Sequence, residues 1–150
     1  MQAVPILGLR EWIALPELGL GRLRAKIDTG ARTSALHATD IEEFTHNDQR
    51  WVRFNAGFGS DKHLCQAQVL TCKRIKSSTG HVQERYVIST TLYLGAYQWP
   101  VEFTLTCRKT MRYPVLLGCR ALTDGHWLVD PSQSYCHPKP LLPLNTPGAS

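Results

Sequence analysis

Apolar residues recur at every second position through much of this chain, the period of a pleated strand with one buried face and not that of a helix. Leu23, Ala25 and Ile27 alternate with Arg24 and Lys26, and Val52, Phe54, Ala56 and Phe58 repeat the pattern. Val101, Phe103 and Leu105 do so against Glu102, Thr104 and Thr106, and the stretch from Tyr86 to Leu94 is rich in β-branched and aromatic residues, which suit a pleated surface. Turn chemistry separates these runs. Gly57-Phe58-Gly59-Ser60-Asp61, Ser77-Ser78-Thr79-Gly80 and Asp124-Gly125 are places where the backbone reverses cheaply, the last read as a hairpin turn. Short strands at this spacing predict an all-β closed barrel or a sandwich. Helical spacing is scarce: a turn or so is expected after Thr33-Ser34-Ala35-Leu36, and a short helix around Cys119-Arg120-Ala121-Leu122.

A chain of 150 residues is the size of one domain with its own core. The expected division is a single barrel domain over residues 1–135 and an extended tail over 136–150, where Pro138, Pro140, Pro143 and Pro147 break regular elements. The composition, 43% hydrophobic and 19% charged, is that of a soluble globular protein, and no apolar run approaches the length of a membrane span. The segment from Met1 to Ile6 has neither the basic start nor the long apolar stretch of a secretion signal, so the expected location is cytoplasmic. Five cysteines, Cys65, Cys72, Cys107, Cys119 and Cys136, are an odd number at irregular spacings, against a disulfide framework and consistent with a reducing compartment. Most are expected to be small core residues. The net charge of +5 favours acidic partners, a class that includes both acidic peptides and nucleic acid. Nucleic acid is the weaker expectation, since there is no basic helix and no recognisable aromatic RNA-binding motif, although Trp51, Trp99 and Trp127 are candidates for an exposed platform.

One carboxylate stands out. Asp28 directly follows the alternating strand Leu23–Ile27 and precedes Thr29, Gly30 and Ala31. Gly30 permits a tight turn that brings backbone N–H groups near the carboxylate, and the Thr29 hydroxyl is expected to brace the loop. A lone Asp-Thr-Gly is more often an Asx-turn at a strand end. Here a second, apolar segment ending in glycine, Tyr113-Pro114-Val115-Leu116-Leu117-Gly118, follows later in the chain, and it looks like the segment that aspartic peptidases of the retroviral type place beneath the catalytic loop.

Taken together, these segments resemble the retropepsin-like aspartic peptidases. The resemblance is closer still to the small bacterial family labelled ATP-dependent zinc proteases and linked to RimK-type peptide ligases. Its matching pieces are Ile27 to Ala38, Lys76-Ser77-Ser78-Thr79-Gly80, Pro114 to Gly118 and Leu128-Val129-Asp130-Pro131. Cys119 departs from the pattern, where a basic residue follows Leu-Gly. The resemblance implies a closed retropepsin-like (acid protease) β-barrel with one short helix near the C-terminal third. It also implies an aspartic endopeptidase activity centred on Asp28, Thr29 and Gly30. Such chemistry uses two adjacent carboxylates that share a proton, activate water and protonate the leaving amine. The chain shows no internal repeat, so the second carboxylate is expected from Asp28 of a second copy, in a homodimer. Asp124, in Thr123-Asp124-Gly125, is the nearest internal rival and lies in the wrong order.

Despite the family label, no cofactor and no metal are expected. There is no His-Glu-x-x-His, no Cys-x-x-Cys and no phosphate-binding Gly-x-x-x-x-Gly-Lys-Ser/Thr loop. His63-Leu64-Cys65 with Cys72, and Cys136-His137, are only partial donor sets. In the resemblance, Cys72 to His81 occupies the place of the flap that covers bound peptide. Ala31, Arg32, Lys73, Arg74, Lys76, Ser77 and Ser78 are therefore the expected substrate-binding residues. Cations here would attract an acidic or glutamate-tailed peptide or protein, consistent with the link to ligases that append glutamate. The plain alternative is that Lys73, Arg74 and Lys76 form the solvated face of an exposed hairpin. At the level of function, the alternative is a noncatalytic binding or regulatory module for acidic tails or for a RimK-type ligase.

Overall fold

Strand pairing closes on itself around a central barrel. The computed structural model describes residues 5–57, 62–76, 78–107 and 112–140. Its strands are β1 (Ile6–Leu7), β2 (Arg10–Leu15), β3 (Leu20–Ile27), β4 (Ser34–His46), β5 (Gln49–Ala56), β6 (His63–Gln68), β7 (Thr71–Lys76), β8 (Val82–Leu94), β9 (Tyr97–Thr106), β10 (Val115–Leu117) and β11 (Leu128–Val129). A 3-10 turn covers Pro16–Leu18 and one helix, α1, covers Cys119–Asp124. In the order β10-β3-β2-β8-β9-β4, and back from β4 to β10, six strands form a closed barrel, which removes the free edges an open sheet would expose.

The two longest strands leave the barrel. β4 and β8 each run for 13 residues; their far ends carry β5 and β6 on one side and the β7–β8 hairpin on the other. The alternation read from the sequence holds in the barrel: Ala25 and Ile27 are buried while Arg24 and Lys26 are exposed, and Val101, Phe103 and Leu105 are buried against exposed Glu102. Val52, Phe54 and Ala56 on β5 are also fully buried and join the same core, whereas Phe58 lies outside the described residues.

Two local expectations fail for identifiable reasons. Thr33 to Leu36 does not start a helix, because Ser34 begins β4 and Leu36, fully buried, pairs with Leu105 on one side and Val115 on the other. Tertiary pairing overrides a weak helical spacing. Asp124-Gly125 is not a hairpin turn but the end of α1: the Gly125 N–H donates to Ala121 O at 3.1 Å, and His126 follows in the left-handed region at φ 59°. Trp127 is buried against Trp99 and Tyr97, so it offers no exposed platform. The tight turn that the reading passed over is Asn47-Asp48, with φ of 51° and 62°, a two-residue β4–β5 hairpin loop in which both residues adopt the left-handed region that Asn and Asp tolerate.

All five cysteines are free, and only Cys65 is buried; Cys72 is half-buried and Cys107, Cys119 and Cys136 are exposed. Burial pushes the Cys65 thiol up to about 12, which makes it inert, while the others lie on β7, at the start of α1 and in loops. Among the described residues no helix is long and apolar enough to cross a membrane.

A buried carboxylate fastens the ends of the described chain. Glu11 on β2 is fully buried and accepts hydrogen bonds from Gly8 N at 2.8 Å, Cys136 N at 3.0 Å and His137 N at 3.2 Å. The first stretch of the expected tail is thereby held to the barrel; residues 141–150 lie outside the described residues. In Glu11→Gln an amide NH2 would face one of these donors in the interior, and an unmatched buried group costs about 1–3 kcal/mol. Urea unfolding should register that loss, and a larger one for Glu11→Ala, which strips away every acceptor.

Candidate active site

Asp28 sits where β3 ends, and its loop is clamped from beneath. β10 pairs in parallel with β3 (Leu117 opposite Ile27) and antiparallel with β4 (Val115 opposite Leu36), so the loop from Asp28 to Thr33 spans the width of one intervening strand. The Asp28 N–H donates to Leu117 O at 2.9 Å. Gly30 N donates to Asp28 Oδ1 at 2.9 Å, the contact that the glycine was expected to permit. No hydrogen bond from the described residues reaches Oδ2.

The start of α1 holds the other half of the loop. Cys119 N donates to Ala31 O at 2.6 Å and Arg120 N to Arg32 O at 3.1 Å, so the departure at Cys119 leaves the main-chain contact intact. Gly118 N donates to Ser34 Oγ at 3.0 Å. A side chain at Gly118 would overlap the Thr33 carbonyl and lie 2.8 Å from Ala31 O, which is why glycine is needed at this close approach. Ser34 is the bracing hydroxyl that sequence reasoning missed. Its signal was alternation, since Ser34, Leu36 and Ala38 all point inward. Thr29 and Gly30 are exposed at the rim, Asp28 and Ala31 are half-buried, and Arg32 is exposed beside them.

Lys73, Arg74, Lys76 and Ser78 lie on the β7–β8 hairpin. Lys73 stands opposite Arg85, Arg74 opposite Glu84 and Lys76 opposite Val82. Arg74 approaches Glu84 at 3.7 Å in an exposed pair, a contact of little energetic weight. Ser78 is exposed in the turn, and Ser77 lies outside the described residues. A cavity of about 300 Å³ brings Lys73 together with Thr33, Ser34, Glu102, Arg120 and Asp124. Asp28 does not line it: the cavity lies beyond Ser34, between α1 and the β8–β9 face.

The hairpin is braced from the side. Arg50 on β5 makes a two-point contact with Glu43 on β4 at 2.7 and 2.9 Å, and the Tyr86 hydroxyl on β8 donates to Glu43 Oε1 at 2.9 Å. Val69 N also donates to Arg50 O at 2.9 Å, and Leu70 N to Val87 O at 2.8 Å. The hydrogen bonds from Arg50 and then Tyr86 lower the Glu43 pKa to about 2, against partial burial that opposes them.

Among the described residues no three His, Cys, Asp or Glu side chains are placed to hold a metal ion. The partial donor sets are separated by their bonding: Cys65 Sγ donates to Leu18 O, Cys136 Sγ to Gln133 Oε1, and the His137 ring contacts Ile6 O at 2.9 Å.

The family model described as RimB-like, retropepsin-like aspartic endopeptidase RimB, matches residues 6–140. The chain belongs to this family. A probable alpha-L-glutamate ligase from Shewanella halifaxensis is 42% identical over 135 residues, covering 87% of this chain and 29% of that protein. One from Parasynechococcus marenigrum is 40% identical over 134 residues, covering 87% and 28%. The chain thus spans under a third of the length of these curated relatives. Among solved structures, a Legionella pneumophila protein of unknown function superposes with a TM-score of 0.76 at 28% identity, covering 89% of this chain and 98% of that one.

Two outcomes are expected. Gly118→Ala should destabilise the protein by about 1–3 kcal/mol, the usual cost of overpacking, read as a lowered unfolding midpoint. Glu43 has a folded pKa below its ordinary 4.5, so its contribution is present above pH 4.5 and is lost as pH falls towards 2. The difference in melting temperature between the native protein and Glu43→Gln should therefore be constant near neutrality and shrink across that window.

Proposed function

We propose that this protein is an aspartic-type peptidase whose catalytic unit is a homodimer, with Asp28 of each copy supplying one carboxylate. The carrying observation is the Asp28 loop itself: a carboxylate with one oxygen fixed by Gly30, on a loop clamped by β10 and α1, at an open rim. A loop this constrained gives the positional precision that catalysis requires. Its exposure leaves room for a second copy. Two such carboxylates brought together would share one proton, since like charges at that distance do not both ionise cheaply. One would draw a proton from water as it attacks the peptide carbonyl, and the other would protonate the departing amine.

The substrate class in this reading is an acidic or glutamate-tailed peptide. Arg32 beside the loop and Lys73 and Arg120 around the adjoining cavity supply positive charge. Relatives that contain a region like this chain bear the name of glutamate ligases, whose products would be such tails. A peptidase for those tails and the enzyme that builds them would act on the same chemical object.

The decisive variant is Asp28→Asn, which is isosteric but cannot carry the dyad charge. Cleavage of an oligoglutamate-tailed peptide should fall by roughly 10⁴-fold, the scale on which loss of a catalytic group is felt, while affinity for that peptide is retained. Unchanged cleavage would overturn the assignment of Asp28. Sedimentation should find activity in a species of twice 16.9 kDa; full activity in a strict monomer would rule out the two-copy dyad.

A further inference from the structure

The outward face of β2 and β3 carries a line of cations that the Asp28 loop does not use. Arg22, Arg24 and Lys26 are all exposed on β3. On β2, Arg10 lies directly opposite Lys26 and Trp12 opposite Arg24. Lys139 adds a further charge, its Nζ 4.8 Å from the Trp12 ring centroid. An open groove of about 410 Å³ runs beside them, lined by Trp12, Arg22, Arg24 and His63 among others.

Nothing among the described residues neutralises this face. The ion pairs among the described residues, Arg50–Glu43 and Arg74–Glu84, lie on other strands, and neither involves any of the five cations. The carboxylate of the same strand, Glu11, points into the interior and is occupied by Gly8, Cys136 and His137. Like charges directly opposite in a sheet are destabilising, as at Arg10 and Lys26. Folding gains nothing from that arrangement, whereas an external anion would.

We infer that the outer face of β2 and β3 is a docking track for an extended acidic polypeptide, leading up to the carboxylate that would do the chemistry. The inference rests on the acidic-substrate reading above and adds to it where the chain lies. Alternate residues of a strand are about 6.6–6.8 Å apart, in protein and ligand alike. The carboxylates at every second position of an extended glutamate chain therefore match Arg22, Arg24 and Lys26 one for one. The track also has a direction, since Lys26 is two residues before Asp28; a tail laid along β3 is led towards the rim.

Aromatic packing selects peptide over single-stranded nucleic acid. Base recognition needs open ring faces. Trp12 stacks on Tyr135 with centroids 5.7 Å apart and also carries Lys139, while Tyr113 lies 5.3 Å beneath the Arg24 guanidinium. These rings hold the cations in place and are already covered.

The test uses the full chain carrying Asp28→Asn, so that binding is read without turnover. The probe is a fluorescein-labelled oligoglutamate of about ten residues, long enough to cover the track at about 3.4 Å per residue. Arg22→Glu and Arg24→Glu should each weaken binding on the order of tenfold at low salt. Arg53→Glu, the same change of charge on β5, should leave it within about twofold. The milder pair Arg22→Gln with Arg24→Gln should flatten the dependence of affinity on salt, with an unchanged melting temperature showing that the fold survives. Equal weakening by all the reversals would reduce the effect to net charge and overturn the track. So would a single-stranded RNA of equal charge that binds more tightly and loses affinity at the same positions. Failure of Asp28→Asn to stop cleavage would remove the peptidase assignment but leave this binding result standing.

Discussion

The geometry at the rim depends on β10 being paired along both edges. Val115–Leu117 lies between β3 and β4, so the strand that delivers Asp28 and the strand that leaves its loop are fixed to a common reference. Gly118 then brings the chain against the loop carbonyls so closely that no side chain fits, and α1 follows at once with its first N–H groups directed at Ala31 and Arg32. Barrel closure and loop rigidity are one constraint here. An open sheet would free both the edge strands and the carboxylate.

The barrel strands were legible because each presents one buried face, and a period of two survives whatever the partner strand is. Gly30 was legible because few residues suit a turn that directs an N–H back onto a carboxylate two positions earlier. Ser34 was not, since a serine ahead of Ala35 and Leu36 suits a helix start as well as a strand, and only Leu105 and Val115 decide between them. Asp124-Gly125 misled for a related reason: the dipeptide marks a chain reversal without saying which element it ends. The cysteines show the limit of composition, because a small apolar side chain suits the core, yet four of the five lie on faces where burial never occurs in full.

Charge is distributed unequally between structure and surface. Several acidic residues are engaged internally: Glu11 with the main chain at both ends, Glu17 with Thr91 N and the Thr90 hydroxyl, Glu43 with Arg50 and Tyr86, and Asp130 with Ser132 and Gln133. Hydrogen bonds lower the pKa of Glu17, chiefly from Thr91, and of Asp130, chiefly from Ser132. The basic residues of β2 and β3 have no such employment. Their charge is left on the outward face of these two strands, where its field is felt by anything that approaches.

Glu11 has a geometric consequence beyond stability. One carboxyl group spans only a few ångströms, yet it receives N–H groups from Gly8 and from Cys136 and His137. The segments around Gly8 and around Cys136 and His137 are therefore held side by side at one point of the barrel. Removing this one acceptor would therefore release the stretch after β1 and the stretch after β11 together, although they lie far apart in sequence.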